Sequence, residues 1–322
     1  MNATPSYGPL LLDLQTHFPE LKTSVDLGRA ADLNRNVREF AHRHSLTDAE
    51  TREHISRTLC EGAFFLAAYP GASQKNLQLA VDIIMWYILF DDVHVERAGS
   101  DTVDSLNRNL FELLDVAGGN TMHPSPGFSV ALAEILHRAE GWSGCQQHAL
   151  RSALCGVLLG WQWEAQLRAM RSQPSLQTYL NARLHAGGGR LERAYAEPIG
   201  GYVLPAAARR DPHLIRLNHA TSNLLVWVND LCSYEKEKKQ EGNHLITLPH
   251  VLIHEKGCTL TDAITHSCEM ISREANEAAE VIDYLSRSPI PEVRAYARDT
   301  RHMLRVQTAF YAKGGLGRYA DS

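Results

Sequence analysis

Two stretches of the 322-residue chain put oxygen-bearing side chains where they can act together. The first is Asp91-Asp92-Val93-His94-Val95-Glu96. On an α-helix Asp92 and Glu96, four apart, share a face, and Asp91 is turned about 100° away. The ten residues before it, VDIIMWYILF, are apolar on every side, so the helix that carries these acids lies among other helices. Carboxylates at the end of a buried helix repel one another, and a hard divalent cation such as Mg²⁺ relieves that repulsion. The same residues also read as an acidic helix end before the Arg97-Ala98-Gly99 turn. The second stretch is Asn229-Asp230-Leu231-Cys232-Ser233-Tyr234-Glu235-Lys236-Glu237. Asn229, Ser233 and Glu237 recur every four residues, so an amide oxygen, a hydroxyl and a carboxylate form one stripe about 12 Å long. Such a stripe can chelate one Mg²⁺. It can also be the solvated end of a helix, because EKEKKQEG continues it as a charged run.

Taken together, in this order, the two motifs resemble those of the class I terpene synthase (terpene cyclase) family. DDVHVE has the DDxxxE form of the family's aspartate-rich motif, and NDLCSYEKE matches its second metal motif at every position. Ala67-Ala68-Tyr69-Pro70, Trp163-Glu164 and Arg318-Tyr319 also look like family features, and the resemblance covers most of the chain. Two family features are missing: a Trp near the N-terminus, and a Trp before the final Arg-Tyr.

A third constellation gains its meaning from that resemblance. Gly187-Gly188-Gly189 interrupts a helical pattern that runs from Tyr179 through Arg183. Three glycines cost a helix roughly 2–3 kcal/mol against alanine, so a break is expected, exposing backbone polar groups. By itself this is a loop between two helices. The resemblance implies that Arg183 senses the substrate diphosphate, Ala186 links, and Gly187 turns its carbonyl toward the substrate. The fourth constellation is Arg318-Tyr319, preceded by GGLG. A terminal Arg-Tyr is ordinarily a flexible tail, but these residues offer a fork of donors and a hydroxyl to phosphate oxygens. The resemblance implies a lid over about 311–322 that caps the diphosphate.

What the resemblance implies can be set out residue by residue. Asp91 and Glu96, with Asp92 nearby, hold the first metal cluster; Asn229, Ser233 and Glu237 hold the remaining ion; three Mg²⁺ is the family's number. Arg183, Asn229, Lys236, Arg318 and Tyr319 contact the diphosphate. Ionisation leaves an allyl cation to be folded in a dry pocket, and aromatic faces stabilise cations. Phe65, Trp86, Phe90, Trp227 and Tyr311 are candidates for that lining, and each also serves as core. The substrate expected is a prenyl diphosphate, farnesyl first and geranylgeranyl as rival, cyclised to a hydrocarbon or alcohol. A chain-elongating prenyl transferase would need a second aspartate-rich motif in place of NDLCSYEKE. A helical scaffold or binding protein gives these acids no reason to converge.

The elements that must position these residues are helices. Apolar residues recur at i, i+3, i+4 and i+7 over 49–68, 76–96, 104–115, 127–139, 144–172, 175–197, 212–240, 260–287 and 291–312. Pro70-Gly71, Gly118-Gly119-Asn120, Pro124 to Gly127, Pro174, Pro198 to Gly201, Pro249 and Pro289-Pro291 fall between them as breakers. The expected class is all-α, a single-domain helical bundle over 1–322, since Asp91, Arg183, Asn229 and Arg318 must meet around one ligand.

Composition sets the outer bounds. The formal charge is −5, with 44 % hydrophobic and 21 % charged residues, which excludes disorder and argues against a nucleic-acid surface. No apolar run reaches the ~18 residues that span a bilayer, and the N-terminus lacks a signal-like pattern. A cytoplasmic protein without stable membrane anchoring is expected, and a homodimer is allowed. Six cysteines without a CxxC pair read as reduced thiols. His250 and His254 share a helix face but have no third ligand in HVLIH, so a zinc site is not expected.

Overall fold

A computed structural model of the chain describes residues 8–20, 25–47, 61–120, 123–241 and 245–312. Among them are thirteen α-helices and no strand, so the all-α expectation holds. The helices are α1 (Gly8–His17), α2 (Leu27–Arg43), α3 (Glu61–Ala68), α4 (Gln74–Phe90), α5 (Val103–Gly118), α6 (Phe128–Arg138), α7 (Gly144–Met170), α8 (Leu176–Ala186), α9 (Gly189–Gly200), α10 (Pro212–Glu241), α11 (Leu248–Lys256), α12 (Leu260–Leu285) and α13 (Pro291–Ala312). No helix among the described residues is long and apolar enough to cross a membrane.

The helices group into two compact units. One comprises Met1–Lys22, Arg171–Arg190 and Leu204–Ser322; the other comprises Thr23–Met170 and Leu191–Val203. In the first, α10 packs chiefly along α12, while α11 and α8 lie against α10, and α1 and α13 close on α12. In the second, α4 is the axis: α2, α3 and α6 pack on it, and α5 packs on α7.

The sequence explains α4. Ser73 caps its start by accepting from the Asn76 N–H at 3.2 Å. Every face then carries Leu, Ile, Val, Met or an aromatic, and Leu77, Ala80, Val81, Ile83, Trp86, Leu89 and Phe90 are buried. Its buried charge, Asp82, is paired with Arg138 at 2.6 Å and accepts from Gln78 at 2.9 Å. At its C-terminal end, Trp161 of α7 stacks on Phe90, ring centroids 4.9 Å apart, and lies against Trp86 and Tyr87. That stack fixes the residue just before Asp91.

Several boundaries differ from the sequence reading. Helices α1 and α2 lay outside the predicted segments, although Asp26 caps α2 by accepting from Arg29 N–H at 3.0 Å. Pro249, read as a breaker, stands in the first turn of α11, where its missing N–H costs nothing. Pro198 likewise sits inside the last turn of α9. The part of segment 49–68 before Glu61 lies outside the described residues. His250 and His254 do share α11, and no group of three metal-ligating His, Cys, Asp or Glu side chains forms among the described residues.

The aromatic stack generates a prediction. Trp161→Ala removes a fully buried indole with contacts to three rings, and should cost about 3–5 kcal/mol. Urea unfolding followed by circular dichroism would register it as a lower midpoint; an unchanged midpoint contradicts this account of the α4 terminus.

Candidate functional site

The acidic motif does not continue α4 as an α-helix. Asp91–Val95 forms a π-turn, with the Glu96 N–H donating to the Asp91 carbonyl at 2.9 Å. A five-residue hydrogen-bond step replaces the expected α-helical four-residue one, which adds Asp91 to the face that Asp92 and Glu96 were expected to share. The wider turn brings Glu96 round toward Asp91. Electrostatics records the result: burial raises the Asp91 carboxyl well above the ordinary range, and Glu96, Glu164 and Asp92 add to the rise in that order, while Arg168 opposes it. Glu164 is buried on α7 and accepts from Arg168, one turn on, at 3.4 Å. Neither Glu164 nor Arg168 was assigned a role from sequence, although a buried acid in the apolar stretch GWQWEA was the available signal. Carboxylate oxygen is the donor type a hard divalent cation takes, although no three such side chains close on one point among the described residues. The raised Asp91 carboxyl, with other acids beside it, is the kind of group that a concentrated positive charge stabilises.

The second motif keeps its expected form. Asn229, Ser233 and Glu237 all lie within α10, so the four-residue stripe is real. The Ser233 hydroxyl donates to the Asn229 carbonyl at 2.7 Å, which commits its proton and turns oxygen lone pairs away from the backbone. The Asn229 amide N–H donates to the Tyr311 hydroxyl at 3.1 Å, which fixes which end of that amide is its donor end. Each side chain thus commits a proton within the protein, Ser233 to α10 itself and Asn229 to α13. Ser233 is buried, whereas Asn229, Lys236 and Glu237 are partly exposed. The stripe is therefore partly open to solvent. Mg²⁺ commonly takes one or two carboxylates and fills its octahedron with water and phosphate oxygens, so the stripe suits it without a closed protein cage.

The helix break stands where the glycines predict it. Ser175 caps α8, which ends at Ala186, and α9 begins at Gly189. Gly188 lies in the left-handed region at φ 73°, which glycine adopts without penalty. Gly187 and Gly189 are needed for a second reason, which is close approach to α10. A Cβ on Gly187 would lie 2.6 Å from Val226 Cγ1, and one on Gly189 would lie 2.8 Å from the Ser222 carbonyl. The break is therefore pressed onto α10 just upstream of Asn229.

Arg183 is the last long side chain before that break. Its Nε and Nη2 both donate to Asp230 Oδ1, at 3.1 and 2.7 Å. Asp230 Oδ2 accepts from the Tyr179 hydroxyl and, at 3.0 Å, from the Leu248 N–H. Burial raises the Asp230 carboxyl above the ordinary range, and Arg183, Tyr179 and Leu248 pull it back. In the sequence reading Asp230 and Tyr179 stand within their motifs without a role of their own. The helical step places Asp230 about 100° from Asn229 and so off the stripe, but its side-chain partners Arg183 and Tyr179 lie some fifty positions upstream in a different helix.

The proposed aromatic lining falls mostly in packed surroundings. Trp86 donates to the Phe128 carbonyl at 3.0 Å and stacks with Phe90, while Phe65 lies 6.0 Å from the Tyr195 ring. Trp227 is buried on α10, and Tyr311 is the partner of Asn229. Ala186 is buried at the end of α8. Arg318 and Tyr319 lie outside the described residues.

The chain is similar to known proteins in sequence and in fold. Residues 82–277 match the family model "Terpene synthase family 2, C-terminal metal binding". A (12E)-labda-8(17),12,14-triene synthase of Streptomyces cyslabdanicus is 31% identical over 250 residues, 77% of this chain and 73% of that one. A (+)-(1(10)E,4E,6S,7R)-germacradien-6-ol synthase of Streptomyces pratensis is 27% identical over 288 residues, covering 88% and 78%. Among solved structures, 2-methylisoborneol synthase from Streptomyces coelicolor, in complex with Mg2+ and 2-fluoroneryl diphosphate, has the same fold, with TM-score 0.82 at 19% identity over 94% of this chain and 97% of that one.

The break yields its own test. Gly187→Ala should destabilise the protein by about 1–3 kcal/mol through overpacking against Val226. Adding Val226→Ala should recover part of the loss in thermal unfolding. A tolerated Gly187→Ala would show that the approach to α10 is not tight.

Proposed function

The chain belongs to the terpene synthase family, whose members act on prenyl diphosphates, and from that premise we propose that it is a Mg²⁺-dependent terpene cyclase. It ionises a prenyl diphosphate to diphosphate and an allyl cation, then closes the cation into a ring system. The observation that carries the reading is the pair of oxygen-donor sets, the acids around Asp91 and the stripe Asn229, Ser233 and Glu237 on α10. Bound Mg²⁺ supplies the positive charge that stabilises the departing diphosphate.

The residues divide the remaining work. Asp91 and Glu96 hold cation on the aspartate-rich motif, with Asp92 in support, and the α10 stripe holds it on the second motif. Arg183 and Lys236 bind phosphate oxygens as cations, which neutralises charge as it develops on the leaving group. Arg318 and Tyr319 close over the diphosphate, and Gly187 offers its carbonyl beside the ionising carbon. On this reading 1–322 acts as one catalytic domain.

For the substrate, the labdatriene synthases among the relatives favour a twenty-carbon chain, against the fifteen-carbon chain first expected from the sequence. The germacradienol synthase keeps the fifteen-carbon chain as the second reading. Incubation with geranyl, farnesyl and geranylgeranyl diphosphate plus Mg²⁺ should give cyclic product from one of the longer two. Elongated linear product that appears only with isopentenyl diphosphate would instead mark a prenyl transferase.

Two variants probe the metal edge. Glu237→Gln should raise the Mg²⁺ needed for half-maximal diphosphate release by about tenfold or more, with circular dichroism unchanged. Tyr311→Phe should raise it severalfold by freeing the Asn229 amide to rotate, with kcat at saturating Mg²⁺ nearly intact. A wild-type Mg²⁺ requirement in both variants removes the α10 stripe from the site.

A further inference from the structure

We infer that Asp230 is a positioning residue that sets the Arg183 guanidinium in register with the α10 stripe. The inference rests on the terpene cyclase reading and goes beyond it to a residue that is neither a metal ligand nor a diphosphate contact.

The geometry is specific to that role. Asp230 is fully buried and directly follows Asn229 in α10, so its carboxyl points off the stripe and into the protein. Oδ1 takes both Nε and Nη2 of Arg183, which leaves the guanidinium plane no freedom to swing about its long stem. Oδ2 takes the Tyr179 hydroxyl, one helical turn before Arg183 on the same helix, so α8 is gripped at two points four residues apart. Oδ2 also takes the N–H of Leu248, an orphan donor of the first turn of α11. One carboxylate thus joins three helices. It does so three residues before α8 stops at Ala186, where Gly187 is pressed on Val226, one turn upstream of Asp230. Arg183 and the helix break are held from the same stretch of α10 that carries Asn229. An arginine that must meet a diphosphate needs its rotamer set beforehand, because ordering a long side chain at the moment of reaction raises the barrier.

A merely structural Asp230 and a positioning Asp230 differ in measurable ways. Arg183→Ala should lower kcat/KM for diphosphate release by about a hundredfold or more. Asp230→Asn should lower it by about tenfold or more and leave the Mg²⁺ needed for half-maximal rate within about twofold of wild type. In the Arg183→Ala background, Asp230→Asn should cost less than about twofold more, since its effect runs through the missing guanidinium. Millimolar guanidinium ion should restore Arg183→Ala by about tenfold, by occupying the Asp230 cradle, and should leave Arg183→Ala/Asp230→Asn unrestored. Multiplicative losses, a folded Asp230→Asn with wild-type kcat/KM, or a raised Mg²⁺ requirement each overturn the inference. If Asp230→Asn does not fold, the rescue of Arg183→Ala decides alone: restoration supports the cradle and its failure overturns it. A wild-type chain that releases diphosphate, yet shows multiplicative losses, loses only this inference; one that releases none loses the terpene cyclase reading as well.

Discussion

A carboxylate removed from water must be held by donors or by a cation, and this requirement organises both chemical centres of the protein. Asp230 meets it with protein donors: Arg183, Tyr179 and a helix N-terminal amide. Asp91 is surrounded instead by Glu96, Glu164 and Asp92, with Arg168 as the opposing charge, so its environment favours a cation. The two acids lie in different units and show the two solutions to one desolvation problem. The first ties helices together, and the second gathers like charges around one carboxyl.

Around these centres, helix structure does the positioning. An all-apolar α4 locked by Trp161 delivers Asp91 at its end, and the π-turn that follows moves Glu96 toward it. An uninterrupted α10 keeps Asn229, Ser233 and Glu237 in line, with Ser233 donating back to the Asn229 carbonyl and Tyr311 taking the Asn229 N–H. The glycine break beside α10 ends α8 just past Arg183. Each device is cheap in a helical protein, because it uses ends, turns and side-chain orientation rather than added elements.

How much of this is legible in the sequence depends on range. Local, periodic features are: the helix class, the stripe on α10, the break at Gly187–Gly189, and the start of α8 at Ser175. The aspartate-rich motif is legible as chemistry but not as geometry, because nothing in DDVHVE signals an i+5 backbone bond in place of i+4. Pro249 misleads because proline ends a helix interior yet suits a first turn. Asp230 is hidden for a different reason. Its spacing shows that it leaves the stripe, but its partners on α8 are set by tertiary packing. The aromatics Trp86 and Phe90 illustrate the same limit, since an apolar helix needs them as core whatever the pocket contains.

The central claim is that this chain binds diphosphate through divalent cations held by its own acids. The most direct measurement is calorimetric titration of the protein with inorganic diphosphate, with and without Mg²⁺. The account predicts reciprocal coupling, with saturable diphosphate binding in Mg²⁺ that weakens by at least about a hundredfold when the metal is chelated. Equal affinity with and without metal, or no binding in either, would contradict it.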